Sequence, residues 1–263
     1  MTSDIDLLRE AAQAAGKLAV LRRHQGLKIW SKGDAGPVTD ADIAVNDLLQ
    51  DRLRSARPDY GWLSEETADG PERLQKKKLF VVDPIDGTVA FMKGQPWWTV
   101  AIAVVEDGVP TAAVVHAQVM HETFEATLGG GAKLNGEPIH ASDATSLDDA
   151  SMLADAKLFD RPIWPDPWPV MRFDKRNSIA YRIALVGAGA FDAAMALSPK
   201  WDWDVCAGAL IAEEAGAKCT DHLGRPYHFN RPDPRQPSLV CAAPALHPLI
   251  LKRCAPIHLP DLL

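Results

Sequence analysis

Between residues 3 and 24 the apolar side chains Leu7, Leu8, Ala11, Ala12, Ala15, Leu18 and Ala19 recur three and four positions apart. That spacing lines one face of a helix, with Ser3 placed as N-cap and Asp6 at the third helical position. The Gly/Pro-punctuated segment SKGDAGPVT follows, and residues 40–55 then repeat the helical spacing through Ile43, Leu48, Leu49 and Leu53 before Pro58 stops it. From Leu79 the period shortens to that of strands. The stretches LFVVD, TVAIAVVEDGVPTAAVVHAQ and ETFEATLGGGAKLNGEPIH, with turn signals at Asp107-Gly108 and Asn135-Gly136, predict an antiparallel meander.

Residues 142–170 read as a Pro-rich loop containing RPIWPDPWP, the natural joint between an N-terminal half, 1–145, and a C-terminal half, 146–263. Beyond it, SIAYRIALVGAGAFDAAM reads as a helix that turns at its glycines, and WDVCAGALIAEEAGAK as a helix closed by Gly216. Gly187-x-Gly189 lacks the third glycine of a dinucleotide fingerprint and follows no strand, so it reads as close helix packing. Internal repeats and coiled-coil heptads are absent from the sequence.

A length of 263 residues allows one large domain or two joined halves, and 47% hydrophobic with 24% charged residues excludes the disordered and fibrous classes. A net charge of −7 gives no footprint for a nucleic-acid polymer. An acidic chain that handles an anion needs local positive charge, which bound divalent cations supply. Cys206, Cys219, Cys241 and Cys254 form no C-x-x-C pair and read as reduced thiols. The eight histidines fall at no ligand spacing. With no apolar leader core and no stretch of about 20 apolar residues, the expectation is a cytoplasmic protein that is neither exported nor membrane-embedded.

The sharpest chemical signal is LFVVDPIDGT, residues 79–88, where an apolar strand ends in two carboxylates. Two acids at a strand end can share cations. Pro84 biases Asp83 toward extended backbone, and the turn after it can expose the Ile85 carbonyl as a third oxygen ligand, a donor set suited to Mg²⁺. Gly87 and Thr88 then present amides at a helix start, where a phosphate is favoured. A turn at Asp86-Gly87 with Asp83 as a helix cap is the plainer alternative. Two further acidic features weigh against it, WLSEET at residues 62–67 and Asp204 at the start of a helix in WDWDVCAGALIAEEAGAK.

Together these resemble the D-P-x-D-G-T/S, G-E-E and W-D-x-A motifs of the inositol monophosphatase superfamily, in the same order along nearly the whole chain. The resemblance implies a layered α-β-α-β-α sandwich, mixed α/β, with an α+β N-terminal half and an α/β C-terminal half. It implies metal ligation by Glu65, Asp83, Asp86, Asp204 and the Ile85 carbonyl, with two Mg²⁺ ions and room for a weaker third. Asp204 rather than Asp202 fits, standing twelve residues before Gly216. SKGDAGPVTDAD resembles the family's Lys-bearing loop and V-T-x-x-D, pairing Asp42 with Thr88 and setting Lys32 at the rim. Glu65 and the Thr88–Asp42 pair would act on the attacking water, while Gly87, Thr88, Asp86 and Asp204 would meet the substrate. Homodimers and lithium sensitivity are further expectations of the resemblance.

SKGDAGPVTDADIA followed by WLSEE most resembles the CysQ branch, the 3′(2′),5′-bisphosphate nucleotidases, which implies hydrolysis of adenosine 3′,5′-bisphosphate to AMP and phosphate. The inositol branch would ask for a Glu shortly before Trp-Asp, and AFDAAMALSPKWDWD has none. One missing residue leaves inositol and other polyol or sugar phosphates open as the alternative. Trp164, Trp168 and Trp201 could stack an adenine or serve as core or lid residues. Lys175, Arg176 and Lys200 could meet a second phosphate or be surface charge. A haloacid-dehalogenase-type phosphatase needs its two acids two positions apart, so that both face one site, and here they are three apart. The alternating acids of an EF-hand loop are absent. A non-catalytic regulatory or RNA-associated role is the alternative of another class.

Overall fold

The computed structural model describes residues 2–31, 33 and 36–259. Helix α1 (Asp4–Gln25) starts at Ser3, whose Oγ accepts the Asp6 amide. A short hairpin of β1 (Ile29–Ser31) and β2 (Pro37–Thr39) leads into α2 (Asp40–Ala56), which opens with a full capping box between Thr39 and Asp42. Both helices fall where the apolar spacing predicts them.

Seven strands form the larger sheet: β3 (Gly61–Ser64), β4 (Lys78–Asp86), β5 (Thr99–Glu106), β6 (Val109–Ala117), β7 (Glu122–Thr127), β8 (Ala132–Leu134) and β9 (Glu137–Pro138). The five-residue helix α3 (Thr88–Met92) lies between β4 and β5. Sheet order equals chain order, with β3 parallel to β4 and every later pair antiparallel. The meander follows from its turns: Asp107 and Gly108 adopt φ of 50° and 82°, Asn135 and Gly136 φ of 51° and 89°. Two successive positive φ values make the tight hairpin turn that matches strand twist.

After residue 150 the chain builds a second sheet in the order β11 (Arg172–Asp174), β10 (Ser151–Leu153), β12 (Ala193–Ala196), β16 (Leu239–Ala242) and β14 (Lys218–Thr220). The helices α4 (Ile179–Gly187), α5 (Asp202–Glu214) and α6 (His247–Cys254) intervene, with the two-residue strands β13 (Lys200–Trp201) and β15 (Arg235–Gln236) pairing beside α5. The segment 142–170 read as loop therefore holds one strand, β10, and the AFDAAM stretch holds β12. Three or four residues are too few for an alternating pattern to emerge from sequence.

Three apolar clusters divide these elements into layers. Leu8 of α1 and Leu49 of α2 pack on Phe80, Val82 and Ile102, one face of the large sheet. Its other face, Val81, Ala101 and Ala103, packs on Ile183 and Leu210 of α4 and α5, which also meet Leu239 and Cys241 of the small sheet. Met152, Met195 and Val240 on the outer face of the small sheet pack on Ile250 of α6. The order is α-β-α-β-α, the sandwich expected, and each fully buried Leu or Phe contributes about 1.5–3 kcal/mol.

The α4–α5 layer is buried on both sides, and its crossing is close. A Cβ on Gly208 would stand 2.8 Å from the Ile183 Cβ and 3.1 Å from the Ala180 carbonyl oxygen. Gly208→Ala would gain about 1 kcal/mol of helix propensity and lose about 1–3 kcal/mol to overpacking. Thermal denaturation should therefore show a lower Tm for G208A than for wild type; an equal or higher Tm contradicts the crossing described.

Candidate active site

The end of β4 carries the site. Asp83 pairs in register with Ala101 and Asp86 with Thr99, so three residues on β4 span two on β5. In a regular strand, side chains three apart point to opposite faces. The extra residue makes a bulge, which returns Asp86 to the face that Leu79, Val81 and Asp83 share, toward α4 and α5. The three-residue spacing of D-P-I-D thus brings both carboxylates to one side. Asp204, in the first turn of α5, joins them, and carboxylate oxygens of Asp83, Asp86 and Asp204 all lie within 4.8 Å of one another.

Each acid is anchored through one oxygen. Asp83 Oδ1 accepts the Ile85 amide at 3.1 Å. Asp86 Oδ2 accepts the Ser178 hydroxyl at 2.6 Å and the Ala180 amide at 2.7 Å, tying the end of β4 to the N-terminus of α4. Ser178 Oγ, having given its one proton to Asp86, accepts from the Thr99 hydroxyl at 3.0 Å and the Tyr181 amide at 2.9 Å. Asp204 Oδ2 accepts the Trp201 amide at 2.8 Å. Among the described residues, Asp83 Oδ2 and Asp204 Oδ1 accept no hydrogen bond, and the site offers hard oxygen donors and no sulfur or imidazole. That donor chemistry fits a hard divalent cation.

Electrostatics make the same point. Burial, followed by the charges of Glu65, Asp86, Asp204 and Asp42, pushes the Asp83 carboxyl well above its ordinary value. Burial and the Asp86 charge push Asp204 up to about 7, against the Trp201 amide and Lys200. Asp86 is raised by burial and held down by Ser178, the α4 amides and the Arg182 charge. Neither nearby cation is spent on these acids: Lys200 Nζ donates to Ser198 Oγ at 2.8 Å and Pro199 O at 2.9 Å, while the buried Arg182 donates Nε to Arg176 O at 2.6 Å. Buried like charges without a paired cation are costly, and a divalent ion removes that cost.

Around the three acids stand the other residues expected from sequence. Glu65 follows β3 and lies outside the tight group of three, yet its charge is the strongest of those acting on Asp83. Thr88 Oγ1 lies 3.2 Å from Asp42 Oδ1 and 3.1 Å from the Ile85 carbonyl oxygen, and the buried Asp42 takes the Thr39 amide and hydroxyl on Oδ2. Gly87 has φ 94°, and a Cβ there would sit 2.9 Å from Trp97 O and 3.0 Å from Ser178 N. Only glycine fits that turn. Lys32 lies outside the described residues.

Two participants escape the sequence reading, Ser178 and Arg182. An Asn-Ser pair before an apolar run signals a helix cap at Ser178, but nothing local tells that the hydroxyl bonds Asp86, 92 residues away. Asp202, the second acid of WDWD, is committed elsewhere: its oxygens accept the Gln236 side chain at 2.8 Å and the Asn230 amide at 3.0 Å. Trp164 and Trp168 pack with Phe159 over the outer face of the small sheet, away from the acids. Trp201 stacks on Trp203 with centroids 4.8 Å apart beside Asp204. Lys175 pairs with Asp155, and Arg176 with Asp174 while lying over Trp97.

A carboxyl raised in the folded state favours its protonated form there, so its contribution to stability is full below the ordinary value of 3.8 and is lost as pH rises from there to the folded value, about 7 for Asp204. In EDTA, Tm should fall as pH rises through that region; adding a divalent cation should reverse the fall. Asp83→Asn should raise Tm in EDTA and remove most of the cation-induced rise. A cation-independent Tm in the wild-type chain would contradict this electrostatic description.

Comparison with known proteins agrees with this architecture. Residues 1–258 match the inositol monophosphatase family. A histidinol-phosphatase of Chlorobaculum parvum is 32% identical over 234 residues, covering 86% of this chain and 88% of that protein. The Nus factor SuhB of Xylella fastidiosa is 32% identical over 238 residues, 84% of this chain and 82% of that one. The solved structure of a Thermotoga maritima IMPase superposes with a TM-score of 0.80 at 27% identity, covering 94% of both chains. With its motifs, its five-layer order and its clustered acids in agreement, the chain belongs to the inositol monophosphatase family.

Proposed function

We propose that this chain is a magnesium-dependent phosphomonoesterase acting on a small phosphate ester. The observation that carries the reading is the clustering of the buried Asp83 and Asp86 with the half-buried Asp204, with oxygens left over and no ion-paired side-chain cation among the described residues. In this reading the three acids, with Glu65 and the Ile85 carbonyl, would hold two Mg²⁺ ions and a weaker third. Divalent ions supply charge neutralisation for the phosphate and activation of a water. Thr88 gives its proton to Asp42 and turns a lone pair toward that water, which Glu65 also orients. Burial pushes the Asp42 carboxyl up, which makes it a better proton acceptor. The amides of Gly87 and Thr88, the N-cap and first residue of α3 and so without intrahelical acceptors, would donate to a phosphate oxygen.

For substrate, we favour adenosine 3′,5′-bisphosphate, released as AMP and phosphate. Lys200 and Arg182 lie close enough to act on Asp86, and Lys200 on Asp204 as well, which supports an ester bearing a second anionic group. Trp201, 40% exposed, is the one tryptophan of the three named from sequence that lies by the acids and could take a base. A monophosphate ester, of a polyol such as inositol 1-phosphate or of an amino alcohol such as histidinol phosphate, is the second reading, favoured by the names of the Thermotoga and Chlorobaculum relatives. The SuhB relative, named a Nus factor, favours a regulatory role as a reading of another class.

Phosphate release should be measured from the bisphosphate, inositol 1-phosphate, histidinol phosphate and fructose 1,6-bisphosphate, with Mg²⁺ and with EDTA. The expected result is activity with Mg²⁺ alone, highest on the adenosine bisphosphate. Preference for a monophosphate transfers the substrate to the second reading, and silence on all four favours the regulatory one. Asp83→Asn should keep the fold by circular dichroism and lose about 10²–10³-fold or more in kcat. Near wild-type turnover in D83N would refute the assignment of the acids.

A further inference from the structure

Beside β15, against the loop after β14 and the segment that follows α6, lies a cavity of about 510 Å³ that shares no lining residue with the acidic cluster. That volume is within the range of small-ligand sites. Leu223, Pro237 and Ile257 give it an apolar wall, and Arg225, Arg231 and Arg235 line it with guanidinium groups. Asp221 holds Arg225 through Nε at 2.5 Å, and Asp233 holds Arg235 through two bonds of 2.9 and 2.8 Å. Arg231 is different. Its Nη2 donates to the Arg235 carbonyl and, at 3.4 Å, to Gln236 Oε1, and no carboxylate among the described residues ion-pairs with it. Its Nε–H is buried and meets no hydrogen-bond acceptor.

A guanidinium in a cavity wall with no carboxylate partner is a charge that a bound anion would neutralise. Among the described residues, Arg231 Nε and Nη1, Arg235 Nη1 and both Nη atoms of Arg225 have no acceptor. The Nη donors alone outnumber what the two oxygens of a carboxylate would engage and suit the three oxygens of a phosphate group. We propose that this cavity is a second ligand site, distinct from the acidic cluster, which binds a small organic phosphate with its anionic head on Arg231 and its apolar body on Leu223 and Ile257. The wall continues toward the acids: Gln236 lines the cavity and donates to Asp202, the first residue of the helix that carries Asp204.

Phenylphosphonate, an organic dianion with no ester bond to hydrolyse, is the probe, titrated calorimetrically into the full chain in EDTA, with benzyl alcohol as neutral control. One-site binding of phenylphosphonate and none of benzyl alcohol is expected. Arg231→Gln should weaken it by about tenfold or more, the order expected for loss of a charge-assisted contact. Leu223 is 50% exposed, so Leu223→Glu leaves the fold intact, places a carboxylate in the wall, and should weaken binding similarly. Asp83→Asn should leave binding unchanged. Absence of binding to the wild type, equal binding of benzyl alcohol, survival of binding in both cavity variants, or its loss in D83N would each overturn the proposal.

Discussion

Mutual repulsion among carboxylates in a buried setting is the constraint around which this fold is organised. Left to themselves, Asp83, Asp86 and Asp204 would separate or protonate; here three different elements hold them within 4.8 Å. A bulge at the end of β4 turns two of them to one face. The N-terminus of α4 fixes Asp86, and the first turn of α5 fixes Asp204 through the Trp201 amide. Both anchors use helix-start amides, which point partial positive charge at an anion. The acids are thereby restrained by groups that leave room for a cation.

The layers serve that arrangement. Because α4 and α5 lie between two sheets, their N-termini are held by packing on both sides, and the register of β4 against β5 is set by the meander beyond it. Precision costs tolerance at two glycines. Gly87 allows the chain to turn under Trp97 and Ser178, and Gly208 allows α5 to approach α4. A methyl group at either would shift an element that carries an acid. The apolar clusters on both faces of the large sheet offset the expense of gathering the charges.

Much of this was legible in the chain before any coordinates, because the relevant signals are local. Asp107-Gly108 and Asn135-Gly136 announce their hairpins, Ser3 and Thr39 their helices, and LFVVD its strand. The motif acids were legible through resemblance, and the fold brings Asp83, Asp86 and Asp204 together with Glu65, Asp42 and Thr88 around them. What stayed hidden depends on distant partners or on very short elements. The strands β10 and β12 are too brief to show a period, and the bond from Ser178 to Asp86 joins residues far apart in sequence. Asp202 and Asp204 look alike in WDWD and are separated by what meets each carboxylate, Gln236 and Asn230 in one case and the acidic cluster in the other.

Anomalous X-ray scattering from crystals equilibrated with Mn²⁺ shows directly whether the three carboxylates hold divalent cations. Mn²⁺ peaks are expected within ligand distance of Asp83, Asp86 and Asp204, with their loss in Asp83→Asn crystals. A clear map with no anomalous density among those residues in the wild-type chain would contradict cation binding there.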